Sequence, residues 1–262
     1  WVWGGGWLAQ LGAVDFAGGI VVHTTAGITA LLTAIMVGRR NGFPQHLMLP
    51  HSPALTLAGA GMLWVGWFGF NGGSALTASA AAGSAILATH LGASAAALMW
   101  IALERLKVGK PTSIGIATGA IAGLATVTPA AGFIGVGGAI LLGGVGSVIC
   151  FYAVHLIRFR LKIDDSLDVF AVHGVGGITG SLLVALLMST SFGGTGYAPG
   201  MAMGSQLAIQ ALAVLVVAAW SALATLALGY GIALLLPMRV SAEDERDGLD
   251  LASHGERAWD IE

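Results

Sequence analysis

The sequence predicts an all-α integral membrane protein, a helical bundle built on an inverted-topology repeat. Three observations lead there. Of 262 residues, 56% are apolar and only 9% charged, whereas a soluble domain carries about 25% charged residues. Several apolar runs exceed about 18 residues, enough to cross roughly 30 Å of hydrocarbon. Two of those runs, pointing in opposite directions, each hold a histidine near mid-depth.

Seven spans follow from the apolar periodicity, at about 14–38, 53–73, 80–103, 113–130, 133–157, 167–190 and 205–236. Pro53, Pro111, Pro129 and Pro237 punctuate their ends, where proline does least harm. The basic residues agree with this count. Arg39 and Arg40 follow the first span, Arg105, Lys107 and Lys110 the third, Arg158, Arg160 and Lys162 the fifth, and Arg239, Arg246 and Arg257 the seventh. With seven crossings all 11 Lys and Arg fall on one face, which the positive-inside rule makes cytoplasmic. The opposite segments, 1–14, 74–79, 129–132 and 191–204, carry neither. Asp15 is the one acid of 13 on that outer half. The chain therefore divides into a membrane domain, 1–240, and a polar, acidic cytoplasmic tail, 241–262.

Glycine is abundant, with 41 residues. Gly115, Gly119 and Gly123, like Gly176 and Gly180, recur every four positions, a spacing that lets helices approach closely where burial from water no longer drives association. A net charge of −2 gives no reason to expect nucleic-acid binding. Cys150 is the one cysteine, which excludes disulfides and cysteine metal sites within the chain. The chain opens on Trp1, with no initiator methionine or signal peptide, and reads as part of a longer protein.

The chemistry centres on Asp15–His23, DFAGGIVVH, and on DVFAVHG, Asp168–Gly174. Ionisable groups at membrane depth cost roughly 3 kcal/mol on insertion scales, so they mark function or a buried partner. Eight helical residues separate Asp15 from His23, about 12 Å, and His173 lies about 12 Å in from Asp165 at the inner end. Both histidines then fall near the middle of opposed helices, as at an inverted-repeat interface. One such histidine alone is as readily a buried core residue; the matched pair points to a narrow shared pore. Adjacent imidazoles can share a proton and offer a polar strip to a small neutral molecule. Carboxylates of a metal site are lacking. His46, His51, His155 and His254 lie in loops, at a helix end or in the tail, and His90, inside the third span, is expected to be structural.

Aromatic residues cluster near Asp15: Trp1, Trp3 and Trp7 before it, and Trp64, Trp67, Phe68 and Phe70 in LWVGWFGFNGGS, followed by Ser74. Two readings stand side by side. One is an interfacial aromatic belt. The other is a cation–π site, worth roughly 0.5–2 kcal/mol to a small cation. Trp67 and Phe70, three positions apart, face one side of their helix, and Phe70 reads as a steric plug.

DFAGGIVVH with the following TTAG, GWFGFNGGS, GAIAGLATVTPAAGFIGVGGA, DVFAVHG, GLDLASHGE and Trp3 together resemble the ammonium transporter family, Amt, within the Amt/Rh superfamily. That resemblance implies eleven helices, of which this chain holds the fifth to the eleventh. It implies that Trp3 recruits ammonium, that Ser74 accepts its hydrogen bond, and that Asp15 is required nearby without direct ligation. Phe70 would be one of two gating phenylalanines, Trp67 a pore-lining residue, His23 and His173 the twin pore histidines, and Asp168 an acid at a helix start. Ala171, where many relatives have glycine, departs slightly. The implied protein is not an enzyme and uses no cofactor. It is a homotrimer in the cell membrane that carries ammonium or ammonia, with methylammonium as an analogue, and its tail can meet a PII-type signalling protein. Alternatives are a Rh-type neutral ammonia channel and an ammonium sensor without its output domain. No Ser/His/Asp or metal constellation favours an intramembrane enzyme.

Overall fold

The computed structural model describes residues 1–46, 48 and 50–257; residues 258–262 of the expected tail lie outside the described residues. After a short turn of helix, α1 (Trp7–Gln10), the bundle comprises α2 (Gly19–Val37), α3 (Pro53–Gly73), α4 (Ala80–Lys107), α5 (Ser113–Val127), α6 (Val136–Arg160), α7 (Phe170–Leu187) and α8 (Met203–Ala233). A short α9 (Ala242–Asp247) follows.

Six of these helices are long and apolar enough to cross a membrane. The fourth expected span is different. α5 has 15 residues, about 22 Å at 1.5 Å per residue. Pro129 stops it, and the chain continues as the turn 128–133, whose first four residues are fully buried. Such a turn tolerates apolar depth only where protein covers its backbone. The first and sixth spans also begin later than periodicity indicates, at Gly19 and Phe170 rather than at 14 and 167.

Helix starts follow familiar chemistry. Ser52 Oγ accepts from the N–H of Leu55 with Pro53 at the first helical position, and Thr112 Oγ1 accepts from Gly115 at 2.9 Å. Close approach depends on glycine: a Cβ on Gly143 would lie 2.1 Å from the Gly92 carbonyl oxygen, joining α6 to α4. A core of Val127, Ile134, Leu142, Val184 and Leu187 fills the space between α5, α6 and α7. Outward faces carry Leu215, Leu223, Leu228 and Trp220, all exposed, as suits helices that face lipid.

The ends of the bundle contrast in charge. At one, Arg40 clamps Asp164 through Nε at 2.9 Å and Nη2 at 2.7 Å. Arg158 meets Asp168 at 2.6 Å and Arg239 meets Glu245 at 2.7 Å. Burial raises the Asp164 carboxyl, but the Arg40 guanidinium and backbone N–H outweigh it and hold it below the usual carboxylate range. At the other end uncharged groups make the ties: Gln206 Nε2 donates to Gly12 O at 2.9 Å, and the N–H of Phe16 to Pro129 O at 3.0 Å.

Candidate functional site

Residues 13–18 are not helical, and Asp15 is not inside the helix as its spacing from His23 suggests. It caps the helix from in front. Its Oδ1 accepts from the N–H of Gly18 at 3.0 Å and Gly19 at 2.7 Å, and its Oδ2 from Ile20 at 2.9 Å and Val21 at 3.1 Å. Four orphan donors of a helix start are thus met by one carboxylate, whose charge also suits the positive end of the helix dipole. Gly18 permits this with φ of +117°. The first turn, Gly19–Thr24, is π-helical and carries His23.

The same device recurs 150 residues later. Asp165 accepts from the N–H of Val169 at 2.9 Å, Phe170 at 2.8 Å and, more weakly, Ala171 at 3.4 Å. A π-helical turn, Phe170–Gly174, then carries His173. Val22-His23 followed by Gly27-Ile28-Thr29 matches Val172-His173 followed by Gly177-Ile178-Thr179. Asp165, not Asp168, is therefore the counterpart of Asp15. Asp168 instead matches Gly18, shares its positive φ at +55°, and pairs with Arg158. The signal was present in the sequence as two equal Asp-to-His spacings.

α2 and α7 cross on glycine. A Cβ on Gly27 would lie 2.2 Å from Gly174 Cα, and one on Gly177 2.5 Å from His23 Cβ. This close crossing brings the imidazoles together, with Nδ1 to Nδ1 at 3.3 Å and ring centroids 5.3 Å apart. A hydrogen bond at this distance needs one ring to donate and the other to accept, which requires two neutral rings to be opposite tautomers. Trp67 lies nearly parallel to both, 5.4 Å from His23 and 6.3 Å from His173. Its Nε1 donates to Thr128 Oγ1 at 2.9 Å, and that hydroxyl donates to Leu124 O at 2.7 Å. The buried turn after α5 thus orients the indole. Phe70 sits 6.2 Å from His23 and 5.6 Å from Trp67.

Together Val22, His23, Leu63, Trp67, Phe70 and His173 line a cavity of about 730 Å³. Its walls are apolar, and His23 Nε2 is buried without a hydrogen-bond partner. In this chain the cavity is a groove, with the α3 face bearing Met62, Leu63 and Phe70 exposed.

The remaining predicted site residues divide. Trp3 stands over the helix start: its Nε1 donates to the Asp15 carbonyl at 2.7 Å, and the residue is 47% exposed. Ser74 ends α3 and donates to the Phe70 carbonyl at 2.8 Å, which leaves its oxygen able to accept. His90 lies outside the groove, against Trp64 and Phe68. Among the described residues no group of three or more His, Cys, Asp or Glu could hold a metal ion. Two buried glutamines on α8, Gln206 and Gln210, escaped the sequence reading, although polar side chains four apart in an apolar helix are themselves a signal.

Fold and site define a multi-pass α-helical membrane protein whose two histidines meet where opposed helices cross. Residues 1–259 match the profile of the Ammonium Transporter Family, and the chain belongs to that family. It is 48% identical to the ammonium transporter Amt1 of Archaeoglobus fulgidus, over 99% of this chain and 66% of that one. With the ammonium transporter of Aquifex aeolicus it shares 44% identity, over 100% of this chain and 60% of that one. Among solved structures, a Sensor Amt Protein superposes with a TM-score of 0.89 at 33% identity, over 97% of this chain and 65% of that one. Mep2 of Candida albicans superposes at 0.84 and 36% identity, over 97% and 59%. The chain thus spans 59–66% of the length of these relatives.

Proposed function

We propose that the protein containing this chain carries ammonium across a membrane: at the mouth an N–H bond of the cation breaks, its proton passing to solvent water, and ammonia travels along the histidine-lined groove. The observation that carries this reading is the imidazole pair in hydrogen-bond contact at 3.3 Å, on an apolar groove, with His23 Nε2 unpartnered. Moving a bare cation the size of ammonium into hydrocarbon costs on the order of 20 kcal/mol by a Born argument. Aromatic contact offsets about 0.5–2 kcal/mol of that. A route that admits only the neutral molecule avoids the cost and rejects potassium, which has no proton to give.

Roles follow from chemistry. Trp3 offers an exposed ring face to the cation, and Ser74 an acceptor oxygen. Asp15 gives its oxygens to four backbone N–H groups, so it acts by holding the helix start and by its field rather than as a ligand. Phe70 narrows the entry, and Trp67 holds both imidazoles parallel. The gathering of Arg40, Arg158 and Arg239 at one end supports a cytoplasmic location for that end and for the tail beyond residue 240. The family resemblance extends the proposal to a homotrimer and a PII-type partner at that face. The likeness to a Sensor Amt Protein favours a second reading, a sensor core, while 44–48% identity to proteins named as transporters favours transport.

The test is methylammonium uptake by the full-length protein in cells lacking their own transporters. His23→Ala is expected to abolish uptake. Trp3→Leu is expected to raise the half-saturating concentration more than it lowers the maximum rate. Potassium carried as readily as ammonium would end the proposal.

A further inference from the structure

We infer that Gln210, on a helix that supplies nothing to the groove, is a positioning residue for the Trp3–Asp15 mouth. This rests on the transport reading above. The chain from Ala13 to Gly18 is irregular, with Asp15, Ala17 and Gly18 buried and Ala13, Val14 and Phe16 half-buried. Irregular backbone at such depth persists only where protein groups satisfy each N–H and C=O.

Gln210 meets that need. Its Oε1 accepts from the N–H of Val14 at 2.8 Å, and its Nε2 donates to the Val14 carbonyl at 2.8 Å. Nε2 also donates to Ser181 O at 2.8 Å. A primary amide carries a donor and an acceptor side by side, so it grips a residue's own N–H and C=O as a neighbouring strand does. The side chain is fully buried, and two carbonyls facing Nε2 fix which way the amide points.

The grip lies one residue before the acid. Beyond it, Trp3 Nε1 donates to Asp15 O at 2.7 Å, and the N–H of Phe16 donates to Pro129 O at 3.0 Å. Four bonds therefore fix the three consecutive peptides from Ala13 to Phe16, and Gln210 makes two of them. Moving Val14 moves the Asp15 carbonyl, and with it the indole that hangs from that carbonyl.

Substitutions separate positioning from mere support. Gln210→Met keeps length and loses both bonds to Val14. Gln210→Glu, ionised, still accepts from the Val14 N–H but cannot donate to Val14 O or Ser181 O. Gln206→Met is the control: it deletes a buried amide from the same helix, whose Nε2 donates to Gly12 O at 2.9 Å and, more weakly, to Gln210 Oε1 at 3.3 Å, and it leaves both bonds between Gln210 and Val14 in place.

The experiment is methylammonium uptake against concentration for the full-length protein, with rates normalised to transporter in the membrane. Gln210→Met is expected to raise the half-saturating concentration about fivefold, more than it lowers the maximum rate, as small misplacements of binding groups do. Gln206→Met is expected to leave it within about twofold. In a Trp3→Leu background Gln210→Met should add less than about twofold, because both act through one indole. An unchanged half-saturation in Gln210→Met, an equal shift in Gln206→Met, or full additivity with Trp3→Leu would each overturn the assignment. If Gln210→Met does not reach the membrane, Gln210→Glu carries the same measurement under the same criteria. Absence of uptake by the unaltered protein would instead sink the transport reading.

Discussion

The two histidine-bearing helices are built to one plan and start in opposite chemistry. At the Trp3 end, Asp15 seals four N–H groups and glycine takes the left-handed position at Gly18. At the other end, Asp165 caps three, and Asp168 occupies that left-handed position and pairs with Arg158. Next to it, Asp164 is clamped by Arg40. One start relies on glycine and backbone, the other on ion pairs. A mouth free of guanidinium groups can admit a cation without competition from fixed positive charge; a mouth lined with them is suited to holding a loop in place.

The largest expected contrast lies in the caps. Asp15→Ala should leave four buried N–H groups unmet, costing on the order of 5 kcal/mol, and should abolish methylammonium uptake by the full-length protein. Asp165→Ala should cost roughly half as much. Thermal midpoints in detergent measure both, and equal losses would erase the distinction between the ends.

Next is the crossing itself. Gly27→Ala would drive a Cβ to 2.2 Å from Gly174 Cα, a backbone atom, and Gly177→Ala to 2.5 Å from His23 Cβ. Each is expected to cost about 1–3 kcal/mol through overpacking, Gly27→Ala more, because backbone yields least. Uptake should fall in both as the rings separate.

A smaller contrast tests the left-handed positions. Gly18→Ala is expected to destabilise by about 1–2 kcal/mol, aided by a 2.5 Å clash with Val22 Cγ2. Asp168→Gly should be nearly neutral, since relief of the backbone offsets loss of a partly exposed ion pair. A large loss there would mean that the Arg158 pair matters more than its exposure suggests.

The smallest effect is one of pH. Asp164 titrates below its unfolded value because Arg40 holds it charged. Its contribution is therefore present above the ordinary carboxylate range, about 4, and is lost as pH falls through the lower folded value. Asp164→Asn should lower the thermal midpoint modestly near neutrality, where that contribution is present, and so flatten the acid limb of the midpoint against pH.

Much of this was legible in the residues. Charge placement located the ends, apolar length located the spans, and the histidine pair stood out because ionisable groups are rare at that depth. What escaped depends on three-dimensional direction. Periodicity does not say where a helix begins when an acid in front supplies its cap, so Asp15 read as helical. The choice between Asp165 and Asp168 as the capping acid turned on which carboxylate meets backbone N–H groups, a matter of loop shape. The shortness of α5 was hidden because its buried turn is as apolar as the helix. Gln206 and Gln210 were visible as polar residues in an apolar run, but their partners lie almost 200 positions away.

The contact between the two rings has one further consequence. Two Nδ1 atoms share a single hydrogen, so the arrangement can be written in two ways that make the same number of bonds. In one, His23 presents a bare Nε2 and His173 a protonated one; in the other these are exchanged. Passing between them requires a hydrogen to arrive at one outer nitrogen and another to depart from the other. The pair can thus be written with its hydrogen pointing either way, and an exchange at the outer nitrogens reverses it.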